Sequence, residues 1–159
     1  MDVIWADGAE YTHQWRARGV VLIVPVTTAG SIVLIEQYRV SLRCDVVEYP
    51  AGLVGDDDPA ENFEVAARRE LLEESGYEAR SLDFLLRGPS SPGSSTEVVD
   101  FYLARDVTRV HAGGGVAHER IRVHEVPLPD VEAWLQGRLE AGVLVDPRVY
   151  LGLYLARTR

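Results

Sequence analysis

Two β-branched runs, residues 20–26 and 32–35, stand on either side of Thr-Thr-Ala-Gly-Ser. Such runs fit buried strands, and the small polar break predicts a hairpin-like connection between them. Val46-Val47-Glu48-Tyr49 predicts a short further strand, stopped by Pro50 and Gly52. Later strands are predicted over residues 81–87, 98–104 and 121–126, and helical spacing over residues 129–137 and 147–157. This order predicts an α/β fold, a mixed sheet with helices on both faces.

Between the third and fourth of these strands lies a charged helix. Asp58 suits an N-cap, Pro59 the first helical position, and Glu61 stands three residues after the cap, as a capping box requires. Gly76 supplies a left-handed stop, so a helix is predicted over residues 59–75. At about 100° per residue, Phe63, Ala66, Ala67, Glu70 and Glu74 share one side, with Glu73 at its margin. Carboxylates thus occupy an apolar face. Glu64 and Arg68 at i,i+4 fit an ordinary solvated ion pair. Glu70 and Glu74 do not, because like charges at that spacing repel and a desolvated carboxylate needs a partner. A divalent cation is the natural one, and hard oxygen ligands suit magnesium, with manganese able to take its place.

Composition narrows the setting. The 159 residues suffice for one core, read as a short N-terminal segment, 1–18, followed by one domain over 19–159. A formal net charge of -9 argues against binding nucleic acid or an anionic membrane, and requires local cations wherever phosphate is handled. The single cysteine, Cys44, permits no internal disulfide and fits a cytoplasmic location. The first residues lack the basic and apolar regions of a secretory signal, and the run 20–26 is too short to span a bilayer. His13, His111, His118 and His124 have no zinc-binding spacing.

From Gly55 to Tyr77 the chain reads GDDDPAENFEVAARRELLEESGY. This resembles the box of the Nudix hydrolases at Gly55, Glu61, Arg69, Glu70, Glu73, Glu74 and Gly76, departing at Tyr77, where the family usually has an aliphatic residue. The resemblance implies a Nudix-type α/β/α sandwich with a mixed sheet and a catalytic loop-helix-loop. Outside the box, Glu36-Gln37-Tyr38-Arg39, Glu48-Tyr49-Pro50-Ala51-Gly52 and Ser91-Pro92-Gly93-Ser94-Ser95-Thr96-Glu97 resemble the ADP-ribose pyrophosphatase branch. Its implied reaction is metal-dependent hydrolysis of ADP-ribose to AMP and ribose 5-phosphate. Another nucleoside diphosphate sugar, GDP-mannose or a UDP-sugar, is the alternative substrate. A non-catalytic ligand-sensing module is a third reading, which expects eroded box carboxylates.

Site residues follow from the same resemblance. Ala51 becomes a metal ligand through its carbonyl, Glu70 and Glu74 through carboxylates, with Glu73 beside them. Arg39, Pro92 and Glu97 become substrate contacts. Arg69 pairs with box carboxylates, and Glu61 caps the helix. The general base is expected at Glu119, with Glu97 and Glu73 as alternatives. The branch implies a homodimer whose pocket is shared between subunits; here Trp5, Tyr11 and Trp15 are candidates for nucleobase stacking or for packing. The glycine run 113–115 lacks a following Lys-Ser/Thr, so it reads as a mobile connection rather than a phosphate cradle.

Overall fold

The computed structural model describes residues 3–6, 9–12, 19–55, 58–93, 95–115 and 120–158, the first two segments as backbone only. In those first segments β1 (Val3–Ala6) and β2 (Ala9–Thr12) pair antiparallel as a small sheet of their own, which the sequence reading of residues 1–18 lacks. The proposed roles of Trp5, Tyr11 and Trp15 concern side chains outside the described residues.

The main sheet contains β3 (Val20–Thr27), β4 (Ser31–Arg39), β5 (Cys44–Glu48), β6 (Ala51–Leu53), β7 (Tyr77–Glu78), β8 (Ser81–Pro89), β9 (Val98–Arg109), β10 (Ile121–Pro127) and β11 (Leu144–Val145). It is mixed: β3 runs parallel to β9, with Val20 opposite Val99, but antiparallel to β4 and β6. The central strands are apolar on both sides, as a doubly covered sheet requires. On β3, Val21 and Ile23 pack with Ala66, Ala67 and Leu71 of the charged helix region. Leu22 and Val24 point the other way, into a cluster with Val131 and Leu135 of α2 (Val131–Glu140) and Val149 and Leu153 of α3 (Pro147–Thr158). Period-two alternation on one strand thus separates the two cores, giving the α/β/α sandwich expected.

The charged helix starts later than its capping box suggests. Asp58 accepts from the Ala60 amide (2.9 Å) in a preceding turn, and α1 (Phe63–Glu70) is capped by Asn62, whose Oδ1 accepts from Val65 N at 2.9 Å. Glu61 does not cap it, because its carboxylate is taken by Arg69 and the Gly55 amide. The helix then widens into a π-helical turn, Leu71–Ser75, and ends at Gly76 in the left-handed conformation predicted (φ 75°). Strands β6, β7 and β11 escape sequence reading because each is only two or three residues long.

Candidate active site

Arg69 organises the loop-helix unit. Its guanidinium makes five hydrogen bonds: to Glu61 Oε1 (2.9 Å) and Oε2 (3.1 Å), Glu70 Oε1 (2.7 Å), Glu73 Oε2 (3.2 Å) and the Leu53 carbonyl (3.1 Å). That saturates its five N–H donors. The expected pairing of Arg69 with box carboxylates is therefore what the structure contains. Glu61, nearly buried, also accepts from Gly55 N at 3.1 Å. The Arg69 bonds, then the Gly55 amide, hold the Glu61 carboxyl below its ordinary pKa against the opposing effect of burial. Hydrogen bonding to Glu61 likewise raises the Arg69 pKa.

Glu70 and Glu74 face the short strand β6. Glu74 is 5% exposed, and its Oε2 accepts from Ala51 N at 2.9 Å. Gly52 permits the approach of Glu70: a Cβ on Gly52 would stand 2.0 Å from Glu70 Oε1. Ala51, Glu70 and Glu74 thus meet where β6 crosses the helix, with Glu73 half-buried on Arg69 beside them. Among the described residues no three acidic, histidine or cysteine side chains already form a cation cage. The arginine draws Glu70 and Glu73 to itself instead.

A cleft of about 160 Å³ opens beside this unit, bordered by Ala51, Gly52 and Leu53. Its polar wall contains Arg39, Glu48, Glu97, Asp146 and Arg148. Arg39 forms a fork with Glu48, Nε to Oε1 being 2.8 Å. Arg148 forms another with Asp146 (Nε to Oδ2 2.8 Å), and that hydrogen bond raises its pKa. Arg39 and Glu97 therefore line one cleft, together with Ala51. Pro92 sits at the exposed turn of its loop, outside the cleft lining, although the Ser90 N–H to Glu97 carbonyl bond (3.2 Å) closes that loop and carries Glu97 inward. Asp146 and Arg148 escape sequence reading. They lie where β11 meets α3, distant in sequence from every motif, and the parallel pairing of β11 with β5, with Asp146 N donating to the Val47 carbonyl (3.0 Å), brings them to the cleft.

Glu119 lies outside the described residues. The glycine run before it is placed, and it is no loose connection: Gly114 N donates to the Glu74 carbonyl (2.9 Å) and Gly115 N to the Glu73 carbonyl (3.1 Å). Tyr77, the departure from the box, is buried, and its hydroxyl donates to Glu125 Oε2 at 2.7 Å. Burial, assisted by Glu125, pushes the phenol up to about 12.

Comparison with known proteins identifies the family. Residues 15–141 match the NUDIX domain family. The chain is 31% identical to the GDP-mannose pyrophosphatase of Cronobacter sakazakii, over 94% of its own length and 81% of the relative's. It is 35% identical to the methanol dehydrogenase activator of Bacillus methanolicus over 64% of its length, and spans about half of that relative (53%). Among solved structures, an ADP compounds hydrolase superposes with a TM-score of 0.68 at 27% identity, covering 87% of this chain and 70% of that one. With every charged and glycine position of the box present and its carboxylates gathered at one end of the helix, the chain belongs to the Nudix hydrolase family, in its ADP-ribose pyrophosphatase-like branch.

Proposed function

We propose that this protein hydrolyses the diphosphate linkage of a nucleoside diphosphate sugar. The observation that carries the reading is the junction of two features, a carboxylate-rich helix end and a cleft with two arginine forks, at Ala51 and Gly52. A diphosphate repels nucleophiles, so its hydrolysis requires cationic groups around the phosphate oxygens.

Nudix hydrolases generally use a divalent metal, and the donor set here suits one. The Ala51 carbonyl with Glu70 and Glu74, and Glu73 adjacent, are hard oxygen donors appropriate to magnesium, manganese being able to replace it. The close seat that Gly52 gives Glu70 would be lost with any side chain at residue 52. Bound there, a divalent ion supplies charge neutralisation and a more acidic water. The chain's own residues do the rest. Arg39 and Arg148 hold phosphate or sugar oxygens, and the carboxylates of Glu48, Glu97 and Asp146 accept sugar hydroxyls. A glutamate takes the proton of the attacking water; Glu119 is our first choice, ahead of Glu97 and Glu73.

ADP-ribose, giving AMP and ribose 5-phosphate, is the substrate favoured by the branch motifs. GDP-mannose is the second reading, favoured by the similarity to GDP-mannose pyrophosphatases. Activity belongs to a homodimer in this proposal, and the location to the cytoplasm. A panel of ADP-ribose, GDP-mannose and UDP-sugars, assayed with Mg²⁺ and with Mn²⁺, tests it. Release of the nucleoside monophosphate with the sugar phosphate from one of them is the expected outcome. Absence of hydrolysis across the panel would sink the enzymatic reading and leave the ligand-sensing one.

A further inference from the structure

The carboxylates read above as metal ligands sit in an unfavourable place electrostatically. Glu73 and Glu74 lie in the last turn of the helix, where unpaired carbonyls give a partial negative charge. Acidic side chains there are disfavoured unless donors cover the carbonyls. In this chain the donors come from residues 110–115, between β9 and β10. Val110 N and His111 N both donate to the Gly76 carbonyl (2.8 and 3.2 Å), Gly114 N to that of Glu74 (2.9 Å), and Gly115 N to that of Glu73 (3.1 Å). The strap is itself folded tightly, with Gly113 N donating to His111 Nδ1 at 2.9 Å.

We infer that residues 110–115 form a backbone strap that positions Glu73 and Glu74 for the cation, with Gly113 as its key positioning residue. The inference rests on the metal reading given under Proposed function. Gly113 has φ 69°, and a Cβ there would lie 2.4 Å from the Ser75 carbonyl carbon and 2.6 Å from its oxygen. Both are backbone atoms of the π-turn, so they cannot move aside without moving the glutamates. Alanine at this position must lift the strap, shift the turn, or both. Without the strap's N–H groups, the Glu73 and Glu74 carbonyls regain their charge beside the carboxylates and the turn loses its register.

The strain of a positive φ and the clash with the turn can be separated. Gly142 has φ 82° and open space within 4 Å of where a Cβ would stand, so Gly142→Ala carries the backbone penalty alone. Mn²⁺ binding to the protein without substrate, followed by loss of the free-ion electron paramagnetic resonance signal, is the test. Gly113→Ala should raise the Mn²⁺ dissociation constant about tenfold while Gly142→Ala stays within about twofold of wild type, the usual size of a coupling of this kind. A folded Gly113→Ala protein with wild-type Mn²⁺ affinity would overturn the inference. Should that variant not fold, linkage supplies a test on the wild type: if the strap favours the bound cation, the cation must stabilise the strap equally. Saturating Mg²⁺ should then slow exchange of the Gly114 and Gly115 amides about tenfold, and unchanged exchange would refute the coupling. Wild-type protein that binds no Mn²⁺ overturns the metal reading itself, a result distinct from either failure of the strap.

Discussion

Two charge networks in this molecule combine arginines and carboxylates in different proportions. Around the helix, one guanidinium, Arg69, serves Glu61, Glu70 and Glu73, with Glu74 adjacent on the Ala51 amide. Around β4 and β10, one fully buried carboxylate, Glu36, gathers Arg122, Arg138 (2.7 Å) and His124 (3.1 Å), and Asp45 takes the second bond of Arg122 at 2.8 Å. The second network is balanced within itself. It ties α2 and β10 to β4, and burial keeps the His124 pKa below its ordinary value although Glu36 opposes this. The first network, among the described residues, sets one guanidinium among four carboxylates beside an open cleft. A carboxylate-rich network at the edge of a cleft is suited to a cationic ligand, whereas a network balanced within itself and away from the cleft is suited to structure.

Predictions that break or sharpen this contrast can be ordered by size. Replacing the general base should cost about 10²- to 10⁴-fold in kcat with KM nearly unchanged. Glu119→Gln is expected to show this in steady-state kinetics; wild-type kcat there with the loss appearing in Glu97→Gln or Glu73→Gln would move the base to the cleft or to the Arg69 network. Arg148→Ala should raise KM about tenfold and leave kcat within about twofold, because its fork binds ground state and transition state alike. An equal fall in kcat would show instead that Arg148 acts on the reacting phosphate. The smallest effect concerns Glu61. Its folded pKa is lowered, chiefly by Arg69, so its contribution to stability is complete above the unfolded carboxyl pKa and is lost as pH falls through the folded value. Glu61→Gln should therefore lower Tm near neutral pH by a few degrees, at about 2–4 °C for each kcal/mol, and flatten the acid limb of the Tm profile. An unchanged acid limb would mean that Glu61 contributes no such linkage.

Much of this is legible in the sequence, for identifiable reasons. The β-branched runs mark the central strands because burial on both faces leaves no polar alternation to confuse them. Fixed spacing on one helix brings Glu70 and Glu74 to one side and sets Arg69 within reach of Glu70 and Glu73. The start of α1 misleads because Asp58 and Glu61 satisfy a capping box on paper, while in three dimensions Arg69, eight residues on, competes successfully for Glu61. Arg148 and Asp146 are invisible for another reason: a two-residue strand carries them to the cleft, and no local pattern records that pairing. The glycine run 113–115 reads as a loose connection because its partners are the carbonyls of Glu73 and Glu74, some 40 positions earlier in the chain. Interactions between backbone groups leave little trace in side-chain identity.

The most direct measurement compares Glu74→Gln with Glu36→Gln, assaying turnover of a nucleoside diphosphate sugar with Mg²⁺ and thermal unfolding on the same preparations. Each change removes one buried carboxylate charge and keeps its shape. Glu74→Gln should lose turnover by about three orders of magnitude or more while Tm stays within a few degrees of wild type. Glu36→Gln should keep turnover within about twofold and lose about 1–2 kcal/mol of stability, since the amide keeps one acceptor oxygen but removes the charge and the second oxygen that Arg122 and Arg138 use between them. Near-normal turnover in Glu74→Gln, or a collapse of turnover in a folded Glu36→Gln protein, would contradict the assignment of the two networks.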